Sequence, residues 1–266
     1  MRVIDCHTHC FPDAVAERAV GRLTSAYHVT PSFDGTVRGL IGQMDGCGFE
    51  ASVVLPVATK ASQVQSINDW AIEIRSERVI PFGGMHPEFP EPEKELDRIR
   101  AAGIRGVKLH PNWQGFKPED PQAFPIYEAL AEKGMIAYFH GGDELEVWPE
   151  PIASTPEALG HVHRRFPRLT MVIAHMGGYR MWDAVEEHLI GREVYFDVSA
   201  CFPADLPDER LVRMMRAHGM DKIMYGSDSP CGPPMSQLRR MLSLPLTNAE
   251  KDLICWENAD RLLGIG

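Results

Sequence analysis

"RAAGIRGVKLHP", residues 100–111, carries a helix to its end and runs it straight into a strand. Residues 100–102 close a stretch in which Leu and Ile recur among charges at helical spacing. Gly103 then stands where a left-handed residue past a helix end belongs. A short apolar run follows, with Lys108 and His110 at its C-terminal end. "LAEKGMIAYF" (130–139) and "RAHGMDKIMY" (216–225) repeat the hand-over. "STPEALGHV" (154–162) and "LTNAEKDLI" (246–254) begin helices, with Ser, Thr or Asn caps and Glu in the first turn.

Working outward, eight runs read as strands: "RVIDCH" (2–7), "ASVVLPV" (51–57), "VIPFGGMHP" (79–87), "GVKLHP" (106–111), "MIAYFHGG" (135–142), "TMVIAHMGG" (170–178), "VYFDVSAC" (194–201) and "KIMYGSDSP" (222–230). Strand alternating with helix implies a parallel sheet covered by helices. Eight such units in this length predict a single α/β domain over residues 1–266, a (β/α)8 TIM-type barrel, slightly distorted at most. Residues 11–37 read as an insertion over the barrel mouth. "LTNAEKDLICWENADRLLG" (246–264) reads as an extra C-terminal helix with Leu253, Ile254, Ala259, Leu262 and Leu263 on its apolar face.

Composition narrows the partners. The 266 residues are 44% hydrophobic and carry a formal charge of −10, which argues against nucleic acid and acidic membranes. No apolar run is long enough to span a bilayer, and residues 1–10 leave no room for a secretion signal, so a cytoplasmic protein is expected. Six cysteines without a C-x-x-C pair read as reduced thiols; Cys201 and Cys231 fall just past strand ends.

Functional groups of a parallel barrel project from the C-terminal ends of its strands. The first run ends in His7 and His9, which two-residue alternation puts on one face. The fourth ends in Lys108 and His110, the fifth in His140, the sixth in His175 and the eighth in Asp228, while His86, Asp197 and Ser199 come from the third and seventh. One such histidine is an ordinary packing residue. Several imidazoles and a carboxylate at one address are costly to bury unless a cation compensates them. Imidazole nitrogens with one carboxylate suit zinc, with manganese, cobalt or iron as substitutes, and would acidify a bound water to a pKa of roughly 7. This reading yields His7, His9, His140, His175 and Asp228 without ranking His140 against His175 as ligand.

"DCHTHC", "KLHP", "FHGG", "AHMGG" and "YGSDSP", down to the closing "ENADRLLG", resemble the amidohydrolase superfamily. More narrowly they resemble its amidohydrolase-2 branch, which contains aminocarboxymuconate semialdehyde decarboxylase. The resemblance implies that His7, His9, His140 and Asp228 bind one divalent metal, zinc first. His175 would be the acid or base, and Asp228 would also orient or deprotonate water. Other branches carboxylate the lysine at the position of Lys108 to bridge two metals; here one metal is expected, with Lys108 and His110 meeting the substrate. Arg180 is a candidate anion clamp, and Trp113 and Trp148 are candidate pocket walls. The leading expectation is a hydrolase of a small amide, lactone or ester using metal-activated water. The alternative is a non-oxidative decarboxylase of an unsaturated or aromatic carboxylate, and a third reading is a metal-binding module without turnover. A homodimer is expected by resemblance.

Overall fold

Parallel strand segments follow one another around a ring in chain order: β1 (Ile4–Thr8), β2 (Ala51–Val54), β3 (Val79–Pro81), β4 (Gly83–Gly84), β5 (Gly106–Leu109), β6 (Ile136–Phe139), β7 (Thr170–Ile173), β8 (Tyr195–Asp197) and β9 (Ile223–Met224). The computed structural model describes residues 1–144, 151–202 and 206–265. The third run of the sequence divides into two segments, because it is handed from one neighbour to the next. β3 pairs with β2, and Phe82 N still donates to Val54 O at 2.9 Å, whereas β4 pairs with β5 from Gly83 onward. Pro81 brings no N–H to the ladder at the hand-over.

The ring closes between β9 and β1. Cys6 N donates to Tyr225 O at 2.9 Å, Asp228 N to His7 O at 2.8 Å, and Thr8 bridges Ser229. The buried Asp5 carboxylate adds a strap, its Oδ1 accepting from Ser227 N at 2.9 Å. These bonds close a (β/α)8 barrel with no free sheet edge among the described residues.

Ile4, Val53, Phe82, Tyr138, Val172 and Met224 meet in one buried cluster. They come from strands on all sides of the ring, so this cluster fills its interior. Val54, Val107, Phe139, Ile173 and Phe196 belong to the second cluster, between strands and helices. Simple alternation does not deliver His7 and His9 to the interior. Ile4 pairs with Ala51, but Thr8 pairs with Val54, so β1 gains a residue on β2 between Asp5 and Thr8. That bulge puts Thr8 level with outward-facing Val54 and turns the flanking histidines inward, the re-aiming that bulges commonly perform beside functional sites.

The insertion over the mouth is the helix α1 (Asp13–Tyr27) and the loop after it. The terminal segment, residues 248–263, is helical with a π turn at Leu253–Glu257. It packs on its own barrel: Tyr225 N donates to Ile254 O at 2.8 Å, Asn258 Nδ2 donates to Met220 O and Ile223 O, and Ala259 and Leu263 join the interior cluster. Thr155 and Thr247 cap their helices as expected, the latter in a capping box with Glu250. Gly134 is left-handed at φ 63°, ψ 32°, whereas Gly219, at φ 114°, ψ 113°, leaves its helix in an extended turn. No helix among the described residues is long and apolar enough to cross a membrane.

His218 serves this frame as a neutral ring. Its Nε2 donates to Val194 O at 2.8 Å, its Nδ1 accepts from Gly191 N at 3.3 Å, and its face stacks on Phe196 at 4.0 Å. Burial lowers its pKa from 6.5 to about 4. Between those values the unfolded chain binds the extra proton, so His218 costs stability as the pH falls from 6.5 towards about 4. In urea unfolding the stability advantage of wild type over His218→Gln should therefore be largest at neutral pH and shrink across that window; a difference independent of pH would refute the assignment.

Candidate active site

A cavity of about 880 Å³ opens at the C-terminal ends of the strands, a size suited to a small organic ligand. His7, His9, Lys108, His110, His140, His175, Arg180 and Asp228 all line it. So do Val15, Arg18 and Arg22 on one face of α1, whose last residue, Tyr27, donates its hydroxyl to Glu144 Oε1 at 2.7 Å. Asp228 and His175 hold left-handed backbone, φ 61° and 59°. That conformation is uncommon for such residues and concentrates at working sites.

The bonds on the far side of two rings decide what they present to the cavity. His7 Nδ1 lies 2.8 Å from Asp197 Oδ2, and His9 Nδ1 lies 2.9 Å from Leu55 O. The carboxylate and the carbonyl only accept, and the Ser199 hydroxyl, 3.1 Å from His7 Nδ1, gives its own proton to Asp197, so each Nδ1 carries the proton and each Nε2 keeps a lone pair. Those nitrogens are 3.2 Å apart, and Asp228 Oδ1 is 3.1 Å from His9 Nε2 and 3.4 Å from His7 Nε2. Burial, reinforced by Lys108 and opposed by Asp197, lowers His7 to about 4, so it stays neutral. Three lone-pair-bearing atoms at these separations repel one another unless a cation lies among them. Ligands about 2.0 Å from a tetrahedral ion stand roughly 3.3 Å apart, so the donor set fits a divalent metal.

His140 is not brought into that trio. Its Nδ1 lies 3.2 Å from His175 Nε2, and its ring stacks on His110 at 4.1 Å and 6°. His175 Nδ1 faces Ser199 O at 3.1 Å and so bears its proton; the lone pair on Nε2 then accepts from His140 Nδ1. His140 Nε2 is left as a buried acceptor without a hydrogen-bond partner among the described residues, 3.7 Å from Glu144 Oε1. His110, His140 and Glu144 form a second buried group. Near-parallel rings hold their lone pairs in separate, near-parallel planes that do not meet at one ion, so His7, His9 and Asp228 make the better chelate.

Lys108 lies beneath both groups, fully buried, its Nζ 5.0 Å from the Tyr138 ring and without a hydrogen-bond partner among the described residues. Burial, opposed by Asp197 and Asp228, lowers it to about 8. Trp113 lines the cavity beneath the Arg22 guanidinium, which is 5.4 Å from its ring; Trp148 lies outside the described residues. His86 is engaged in a local turn, accepting from Glu88 N. Cys231 lines the cavity, and Cys201 is buried against Ser199 O. The glycines of "HGGD" let two rim loops touch: Tyr179 N donates to Gly141 O, Asp143 N donates to Tyr179 O, and a Cβ on Gly142 would fall 2.1 Å from Tyr179 N. Sequence reasoning missed Glu144, Tyr27 and Tyr138; neither periodicity nor a motif distinguishes them.

A family model described as "Amidohydrolase" (Amidohydro_2) matches residues 4–265. The chain belongs to the amidohydrolase family. One curated relative is the 2-amino-3-carboxymuconate-6-semialdehyde decarboxylase of Dictyostelium discoideum, 28% identical over 134 residues that cover 43% of this chain and 37% of that enzyme. The chain spans less than half the length of the curated relatives it matches. Among solved structures, a TIM-barrel protein from Bordetella bronchiseptica has a TM-score of 0.75 at 17% identity, covering 100% of this chain and 99% of that one. The 5-carboxyvanillate decarboxylase of Novosphingobium aromaticivorans, solved with manganese and 4-hydroxy-3-methoxy-5-nitrobenzoic acid, has a TM-score of 0.72 at 15% identity, covering 99% and 96%. At these identities the structural likeness is one of fold.

For this amidohydrolase, a chelator-competition titration separates the His7–His9–Asp228 group from the His110–His140–Glu144 group. His7→Ala should weaken zinc binding by more than about 100-fold, while Glu144→Gln leaves it within about threefold. The reverse order would move the ion to the second group.

Proposed function

We propose that this protein is a metal-dependent, non-oxidative decarboxylase of a small unsaturated or aromatic carboxylate. The observation that carries the reading is the Lys108 ammonium, buried at the floor of the cavity with no hydrogen-bond partner among the described residues. A buried cation calls for an anion, and the acid being cleaved supplies one. Asp197 and Asp228 favour its charge without hydrogen-bonding it, and a neutral amide, ester or lactone would add no charge to it. Arg18, Arg22 and Arg180 along the same cavity favour an anionic ligand further. This puts decarboxylation ahead of the hydrolysis expected from sequence, in keeping with two of the similar proteins being named decarboxylases.

His7, His9 and Asp228 would hold one divalent ion, zinc or manganese, and His140 would complete the set only after its ring turns from His110. Bound there, the ion supplies Lewis-acid polarisation of a substrate oxygen. Lys108 binds the substrate carboxylate, and Trp113 walls the planar part. Loss of CO2 leaves the bonding electron pair on the carbon, which must then take a proton. Protonated His175 would deliver it: with Nδ1–H anchored on Ser199, the second proton sits at Nε2 once the His140 ring has turned away and no longer donates there. α1, tied to the rim through Tyr27 and Glu144, shields the site from water.

Assays of a panel of aromatic and unsaturated carboxylates in deuterated water should yield CO2 and a product deuterated at the vacated carbon. Oxygen from labelled water appearing in the product without CO2 would make the protein a hydrolase instead. Lys108→Met should lower kcat/KM by about 100-fold, the scale of a lost charged hydrogen bond, and an unchanged value would sink the role given to Lys108.

A further inference from the structure

Asp197 has no part in the chemistry above, yet its fully buried carboxylate meets donors on every side. Oδ2 accepts from His7 Nδ1 at 2.8 Å and from the Tyr138 hydroxyl at 2.5 Å. Oδ1 accepts from the backbone N of His175 at 3.1 Å, from Ser199 N at 2.9 Å and from Ser199 Oγ. Ser199 Oγ, its own proton given to Asp197, lies 2.9 Å from His175 Nδ1, placed to accept from it. One carboxylate thus touches a ring from β1, a ring from β6 and the turn after β7. Val172 and Met224 lie in the same interior cluster, where an apolar residue would fill the space without the desolvation of a charge.

From this geometry we infer that Asp197 is a positioning residue: it fixes the proton of His7 on Nδ1, so that Nε2 is free to bind metal, and it holds His175 in register with that ligand. The inference rests on the metal-site reading above. His7 could in principle carry its proton on either nitrogen, and only one of the two forms can ligate through Nε2. An acceptor-only partner selects that form, as outer hydrogen bonds to metal-bound histidines generally do. Five donors converge on Asp197, and two of them are backbone N–H groups that cannot reverse. The isosteric carboxamide of Asp197→Asn must therefore keep its oxygen at the Oδ1 position and turn its NH2 towards His7 and Tyr138. The hydroxyl can rotate away. The Ser199 hydroxyl, 3.1 Å from His7 Nδ1, is committed as donor to Oδ1, so the imidazole relieves the clash by moving its proton to Nε2, where it blocks the metal.

The test joins two readouts. Zinc affinity by chelator competition should fall 10- to 100-fold in Asp197→Asn, and nitrogen-15 NMR of the metal-free protein should show the His7 proton on Nδ1 in wild type and on Nε2 in the variant. Tyr138→Phe removes a donor from the same carboxylate without touching His7, and should keep zinc affinity within about threefold and the proton on Nδ1. Equal losses in both variants would reduce Asp197 to a general structural role, and wild-type affinity in Asp197→Asn would overturn the inference. If Asp197→Asn does not fold, the metal-free wild type still decides, since a proton found on its Nε2 refutes the assignment. Should wild type bind no zinc, the metal-site reading fails, while the NMR measurement judges Asp197 independently.

Discussion

Three acceptors held against their mutual repulsion are what the rest of this molecule serves. The Nε2 atoms of His7 and His9 and the Oδ1 of Asp228 stand 3.1–3.4 Å apart at the barrel mouth. None of them carries a hydrogen for the others. Such an arrangement persists only if each group is anchored from behind, and each is: His7 by Asp197, His9 by the Leu55 carbonyl, Asp228 by its own N–H on His7 O. A cation turns the repulsion into attraction, and the protein's part is to have oriented the lone pairs beforehand.

The barrel supplies that orientation through small departures from ideal geometry. The β1 bulge turns the His7 and His9 side chains inward, and left-handed backbone at His175 and Asp228 aims two further groups at the same space. Each departure carries some conformational strain, and the closed ladder, with β9 bonded back to β1, over-determines the chain enough to hold it. A sheet with a free edge could relax there; a ring cannot.

The cavity is lined by charges of both signs. Lys108 is fully buried, three arginines share the lining with it, and Glu144 lies 3.4 Å from His110 Nε2 and 3.7 Å from His140 Nε2. Burial weakens Lys108 as an acid-base extreme, to about 8, without discharging it at neutral pH. The buried ammonium favours an anion oriented with its charged end towards Lys108.

Much of this could be read from the linear chain, because it depends on periodicity. Runs ending in polar residues, glycines at helix ends and Thr caps depend on neighbours a few residues away, and they laid out strand, helix and the barrel with His7, His9, His140, His175 and Asp228 at its strand ends. What the chain could not disclose are contacts between residues far apart: His7 with Asp197 across 190 positions, Tyr27 with Glu144 across 117, His9 with Asp228 across 219. The split third strand and the bulge in β1 belong with them, since both arise from how one strand meets two different neighbours. The sequence by itself determined that His7, His9, His140, His175 and Asp228 stand at the ends of strands. Only the tertiary structure decided which nitrogen each ring presents there, because a tautomer is chosen by the partner behind the ring, and that partner comes from the opposite side of a closed barrel.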